Sequence, residues 1–143
     1  GVEILAQTMA PFPWHFGGQR YQNLFVKPKD IVNRCDKNKI NICLDVSHTF
    51  LTCNYYNLDF YVEIERLLPF VKYVHIGDAS GINGEGLQIG KGNINFSKLW
   101  SILKKINAPF IPEIWQGHID QGNGFAIALE QLEKIECILN LQS

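Results

Sequence analysis

The sequence predicts an α/β protein, with a parallel sheet assembled from four strand–helix units. Three observations predict it. Apolar, β-favouring runs at 2–7, 40–46, 70–76 and 110–114 each precede a segment with helical spacing. Most of these runs are apolar at nearly every position, as in strands covered on both faces. Long loops follow the strands and short ones follow the helices, which in α/β folds puts the binding edge at the strands' C-terminal ends.

Val2–Gln7 (VEILAQ) reads as a strand that begins almost at the first residue, so the chain is expected to be a piece of something longer. Residues 8–25 form a long loop: Pro11 and Pro13 exclude helix and central strand, and Gly17–Gly18 permit a tight turn. Loops of this length are more often functional than idle, and this one carries Phe12, Trp14, His15, Phe16 and Arg20. Pro28 opens the first helix, where its missing N–H costs nothing, and Ile31, Val32 and Cys35 give the apolar stripe. The second strand, Ile40–Val46, is followed by a predicted loop over 49–57 and a helix over 58–68 that Pro69 ends. The third strand, Phe70–Ile76, leads into a glycine-rich loop over 77–92. A helix over 97–106 follows, with Phe96, Leu99, Trp100, Leu103 and Ile106 on one face. The fourth strand, Phe110–Ile114, leads through a loop over 117–124 to a helix over 125–139, with Phe125, Leu129 and Leu132 on its face.

The 143 residues, 46% hydrophobic and 19% charged, suffice for one domain with a real core. A net charge of -1 without a Lys/Arg cluster disfavours nucleic acid as a partner. No apolar run approaches the roughly 18–20 residues of a membrane span. The opening GVEILAQTM has neither a charged n-region nor a cleavage site, so no signal peptide is expected. Cys35, Cys43, Cys53 and Cys137 form no CxxC pair and read as reduced thiols, which implies a cytoplasmic location.

Chemistry-bearing residues recur at strand ends. INICLDVSH ends in Asp45 and His48, which suit a bound divalent metal or a catalytic pair; the plainer reading is a helix N-cap and a surface histidine. VHIGDA brings His75 and Asp78 towards Asp45's neighbourhood. In PEIWQGH, Glu113 interrupts an apolar strand, where an ionised carboxylate is costly unless it meets a metal or a cation. Asp45, His75 and Glu113, from three adjacent strands, suit Mn²⁺, Mg²⁺ or Co²⁺, with Zn²⁺ also within range. Gln7 would be the fourth and weakest ligand, since its amide has no charge and cannot act as a base. The 77–92 loop matches no nucleotide fingerprint. It is either a flexible loop or a lid with Glu85, Gln88 and Lys91 as polar contacts. Trp14, Tyr55, Tyr56 and Trp115 are candidates for stacking on a sugar or for core packing.

The runs CLDVSH, VHIGDA, LQIGKGNINF and PEIWQGH, in this order, resemble the C-terminal half of a xylose isomerase-like TIM barrel. That superfamily holds sugar and sugar phosphate isomerases and epimerases together with endonuclease IV. PFPWHFGGQRYQN and PEIWQGH are more particularly similar to the barrel found beside or fused to sialic-acid-synthase-type enzymes. The resemblance implies a metal site of Glu, Asp, His and Glu, the last three falling on Asp45, His75 and Glu113. It puts the first Glu on Gln7, a departure. It also implies that Glu113 is catalytic and that His48 contacts the substrate and is a second catalytic candidate; Trp14, Asp78, Glu85, Lys91 and His118, from the loops after the strands, are the further expected contacts for a small-molecule sugar or sugar phosphate. In the epimerases of this family the first and last Glu are the acid–base pair, while the metal polarises the sugar's carbonyl and hydroxyl. Gln7 removes one member of that pair, so a catalytically weak sugar-binding module is the alternative. An endonuclease IV-like phosphodiesterase is remote, given four histidines and a net charge of -1. Since a full barrel takes about 250 residues, residues 1–143 are expected to be a single half-barrel domain whose open edges are covered by a homodimer or by a missing N-terminal half.

Overall fold

A computed structural model describes residues 1–12 and 22–141. Trp14, and with it most of the aromatic loop, lies outside the described residues. The elements are β1 (Ala6–Gln7), α1 (Pro28–Asn38), β2 (Ile42–Asp45), α2 (Val46–Tyr56), α3 (Phe60–Leu67), β3 (Val71–Ile76), β4 (Asp78–Ser80), β5 (Gly84–Leu87), α4 (Phe96–Leu103), β6 (Phe110–Pro112) and α5 (Ile119–Asn140). A 3₁₀ turn at Leu68–Phe70 joins α3 to β3.

The four-stranded sheet has the order β1-β2-β3-β6, parallel throughout. This is the partial TIM barrel that the sequence predicts. Side chains alternate across a strand, and the alternation divides the sheet into two faces. Ile42, Leu44, Val74 and Ile76 are buried in a core shared with Ile31, Ile64, Leu67, Leu99 and Leu132 from the helices. Asp45, His75 and Glu113 occupy the alternate positions at the strand ends. The register sets Asp45 beside His75, and Ile76 beside Pro112, one residue before Glu113.

Three predicted elements differ. The first strand shrinks to Ala6–Gln7, because its neighbour begins only at Ile42; Val2 and Ile4 are left exposed. The predicted loop over 49–57 is instead α2, a helix that starts directly at the end of β2. Seven of its residues are buried, so no exposed face marks it as amphipathic. Val46, Thr49 and Thr52 also lower its intrinsic propensity, which tertiary packing overrides. Asp45 caps its start and Asn57, at φ 53°, closes its end in the left-handed conformation.

The third difference is the glycine-rich 77–92 segment, which holds an antiparallel hairpin, β4–β5, rather than a shapeless loop. Asp78 organises it. This residue is expected among the substrate contacts, but its carboxylate is fully buried and accepts backbone N–H bonds from Ala79, Gly90, Gly92 and Ile94 at 2.8–3.2 Å. Both oxygens are spent on the protein's own backbone. Gly92 has to be glycine here, since a Cβ would enter the space of the Asp78 carboxylate and the Ala79 carbonyl. A second tie, from the Trp115 N–H to the Gly86 carbonyl at 2.7 Å, fixes the hairpin to the chain after β6.

Removing the Asp78 carboxylate strands four backbone donors. Asp78→Ala is expected to cost about 3 kcal/mol, read as a lower urea midpoint, with faster amide exchange at Gly90, Gly92 and Ile94. Unchanged exchange at those amides would contradict the assignment.

Candidate metal centre and cavity

The site is built on Asp45. Its two oxygens do different work. Oδ1 accepts the backbone N–H of His48 at 2.9 Å and the Ser47 hydroxyl at 3.1 Å, capping α2. Oδ2 accepts the Gln7 amide Nε2–H at 2.9 Å and stands 3.0 Å from His48 Nδ1. Capping residue and site residue are thus the same residue. Its backbone is held as firmly: the Asp45 N–H donates to Thr8 Oγ1 at 2.8 Å, and the Thr49 hydroxyl donates to the Asp45 carbonyl at 2.7 Å. Thr8, 1% exposed, is a positioning residue that strand and helix patterning do not reveal.

The neighbouring strands bring the other donors. His75 Nδ1 lies 2.6 Å from Glu113 Oε2, and Gln7 Nε2 lies 3.4 Å from the same ring nitrogen. One ligand atom from each of Asp45, His75 and Glu113 falls within 4.8 Å of the others. Donors around one cation at about 2.1 Å sit roughly 3–4.3 Å apart, so a small rotation of the Glu113 side chain, which is 55% exposed, closes the set. Two carboxylates and one imidazole are ligands suited to a hard or borderline divalent ion. Gln7 presents its amide to this same space. Gly77 keeps the strand ends close, since a Cβ there would stand 2.6 Å from the Glu113 carbonyl.

The electrostatics follow from the packing. Burial raises the Asp45 carboxyl, but bonds from His48 and Gln7 outweigh it and hold Asp45 below its ordinary value. Burial also lowers the His48 imidazole, yet Asp45 and Glu85, with the Thr8 carbonyl, lift its pKa to about 10. Partial burial, then the charge of Asp45, push the Glu113 carboxyl up against the opposing pull of His75 and His48. Water screens part of this at so exposed a side chain.

A cavity of about 300 Å³ opens beside these groups, lined by Ser47, His48, Glu85, Glu113, Trp115 and His118 among others. The sequence-predicted residues sort as follows. Asp45, His75 and Glu113 meet; His48, Glu85, Trp115 and His118 reach the cavity. Gln7 contacts Asp45. Asp78 serves the hairpin. Gln88 turns inward, its Nε2 donating to the Gly124 carbonyl at 2.8 Å. Lys91 is exposed in the turn after Gln88 and is not part of the cavity lining. Tyr55 and Tyr56 pack edge to face on each other; Phe12 meets Tyr55 and Lys27 covers Tyr56. They belong to that cluster rather than to the cavity. Ser47 and Gln116 line the cavity without a sequence signal. A second, apolar cavity lies on the helix side of the sheet, between β3, β6 and α4.

With this geometry the comparisons fall into place. Residues 1–135 match the family described as xylose isomerase-like TIM barrel, and the chain belongs to it. It is 36% identical over 121 residues to uncharacterized protein MJ1614 of Methanocaldococcus jannaschii, covering 84% of this chain and 42% of that protein. It is 29% identical over 111 residues to apurinic-apyrimidinic endonuclease 1 of Plasmodium falciparum, covering 68% of this chain and 18% of that one. A solved D-tagatose 3-epimerase-like protein superimposes with a TM-score of 0.75 at 20% identity, over 99% of this chain and 49% of its own. An L-ribulose 3-epimerase superimposes at 0.62 and 17% identity, over 100% and 51%. The chain therefore spans less than half of those two sequence relatives and about half of the two solved structures. Among the described residues, no helix is long and apolar enough to cross a membrane.

The raised His48 pKa has a sign that can be checked. A histidine whose folded pKa exceeds its usual value of about 6.5 stabilises the fold fully below that value and loses the contribution as pH climbs towards 10. In metal-free protein, stability in urea should fall between pH 7 and 9, and His48→Gln should flatten that slope. An equal slope in the variant would remove His48 as its source.

Proposed function

We propose that the protein is a metal-dependent sugar isomerase or epimerase, or the part of one that holds the metal. The observation that carries this reading is the convergence of Asp45, His75 and Glu113 beside a polar cavity. Those three residues, with Gln7 as a neutral fourth, would hold Mn²⁺, Mg²⁺, Co²⁺ or Zn²⁺. Once bound, a divalent cation supplies Lewis-acid polarisation of a sugar's carbonyl and hydroxyl oxygens, acidifying the C–H between them. Glu113 takes that proton: its carboxylate lines the cavity at the end of the strand that also carries it to the metal site. His48, fixed by Asp45 through Nδ1 and with Nε2 beside Glu85, forms the adjacent wall, and Trp115 and His118 complete the lining. The substrate is a small sugar or sugar phosphate, and a cytoplasmic setting belongs to the same proposal. The outer edges of β1 and β6 have no partner among the described residues. A complementary half-barrel or a second copy would cover them; a stable monomer with covered edges would count against this.

Metal binding is tested by titrating Mn²⁺ calorimetrically. Asp45→Asn should weaken it on the order of 100-fold. Gln7→Glu should strengthen it on the order of tenfold by adding a ligand charge, and should destabilise the metal-free protein by about 1 kcal/mol because Asp45 loses an N–H donor. If Gln7→Glu leaves Mn²⁺ affinity unchanged, Gln7 is not at the metal.

Proton transfer is tested by incubating the Mn²⁺-loaded protein, expressed from its complete reading frame, in D₂O with D-tagatose or L-ribulose. The expected result is deuterium at the carbon next to the carbonyl, abolished by Glu113→Gln. Binding of the sugar without exchange would favour the weak or inactive sugar-binding module. The endonuclease relative supports a phosphodiesterase as the remote alternative. That alternative predicts cleavage of a duplex containing an abasic site, where our reading predicts none.

A further inference from the structure

Inverting a carbon next to a carbonyl needs two groups, one to take the proton from one face and one to return a proton to the other. Glu113 supplies one. Gln7 cannot be the second, because an amide holds no transferable proton at neutral pH and its Nε2–H is committed to Asp45. Asp45 has both oxygens engaged, one as a helix cap. The cavity does hold a second carboxylate, and it comes from neither of those strands. Glu85 lies on β5, a quarter exposed, with Oε2 3.4 Å from His48 Nε2. It lines the same cavity as Glu113.

We propose that Glu85 is the second proton-transfer group, a catalytic residue acting on the sugar from the hairpin wall while Glu113 acts from the strand end, so that the reaction is an epimerisation. This rests on the isomerase or epimerase reading above and narrows it. The hairpin is suited to the task because it is tied down on both sides of Glu85. Asp78 accepts the backbone N–H of Ala79 in β4 and those of Gly90, Gly92 and Ile94 just beyond β5, and the Trp115 N–H donates to the Gly86 carbonyl, so the Glu85 carboxylate is presented from a hydrogen-bonded support.

The step balances. The Glu113 carboxylate takes the C–H proton, and the C–H electron pair moves into the adjacent C–C bond as the carbonyl becomes an enediolate oxygen. Glu85 then passes the proton it shares with His48 Nε2, 3.4 Å away, to the opposite face of the same carbon, the enediolate double-bond pair forming the new C–H bond and the carbonyl re-forming. Glu113 ends protonated and the Glu85–His48 pair one proton short, and exchange with water resets both.

The test again uses protein from the complete reading frame, with Mn²⁺ and D-tagatose or L-ribulose in D₂O. Deuterium incorporation and conversion to the epimer are followed separately by NMR. Glu85→Gln should keep deuterium incorporation within about tenfold, because Glu113 still removes and returns protons on its own face. The same variant should lose conversion by about 100-fold or more. Glu85→Asp should recover part of the conversion, and Mn²⁺ affinity should stay within about threefold in both. Conversion by Glu85→Gln within threefold of the unaltered protein overturns this proposal alone. So does a joint fall of exchange, conversion and Mn²⁺ affinity in both variants, which would make Glu85 part of the fold. An unaltered protein that neither exchanges nor converts overturns the isomerase reading and this proposal together. If Glu85→Gln does not fold, Glu85→Asp carries the same comparison of exchange against conversion.

Discussion

Asp45 shares its two carboxylate oxygens between the fold and the site, and most of the architecture follows from that division. Oδ1 closes the first turn of α2 and Oδ2 faces Gln7 and His48. A helix capped by the last residue of a strand needs no connecting loop, so α2 begins at the sheet's edge and brings Ser47 and His48 into the cavity wall. Burying a carboxylate to 2% exposure is costly unless it is fully hydrogen-bonded. Here the compensation comes from a charged His48, an amide and a hydroxyl. The same donors keep Asp45 ionised, which is the state a cation needs.

Asp78 plays the corresponding part on the far side of the cavity. Its carboxylate gathers the backbone of the 78–94 segment and turns a glycine-rich stretch into a wall that carries Glu85. Two buried aspartates with similar sequence contexts, each just past an apolar strand, therefore do different things. One aims an oxygen at the site; the other spends both on its own loop. The four-stranded parallel sheet positions them, and among the described residues the outer edges of β1 and β6 have no partner.

The strand ends were the legible part. Asp45, His75 and Glu113 stand out because each follows apolar residues in a position where an unpaired polar group would be expensive. Pro28 and Pro69 bounded helices for a simple steric reason. What stayed hidden was hidden physically. Helix α2 is buried on nearly every side, so periodicity could not expose it, and its β-branched residues argued against it. The one available signal was Asp45 itself as an N-cap. The 77–92 hairpin left no alternation to read, because glycine carries no side chain to alternate. Nothing local distinguished Asp78 as a backbone organiser from Asp78 as a ligand contact; Gly90 and Gly92, which let their N–H groups approach it, are intelligible only once the hairpin is seen. Thr8 looked like the first residue of a loop and is a clamp on Asp45.

The account holds that three strand ends form one cation site while Asp45 keeps capping α2. Anomalous diffraction from crystals grown with Mn²⁺ tests this directly. The predicted result is a single peak about 2.1–2.3 Å from Asp45 Oδ2, His75 Nδ1 and Glu113 Oε2, with Asp45 Oδ1 still accepting the His48 N–H. No peak there, or a peak that requires Asp45 to release the helix, would contradict it.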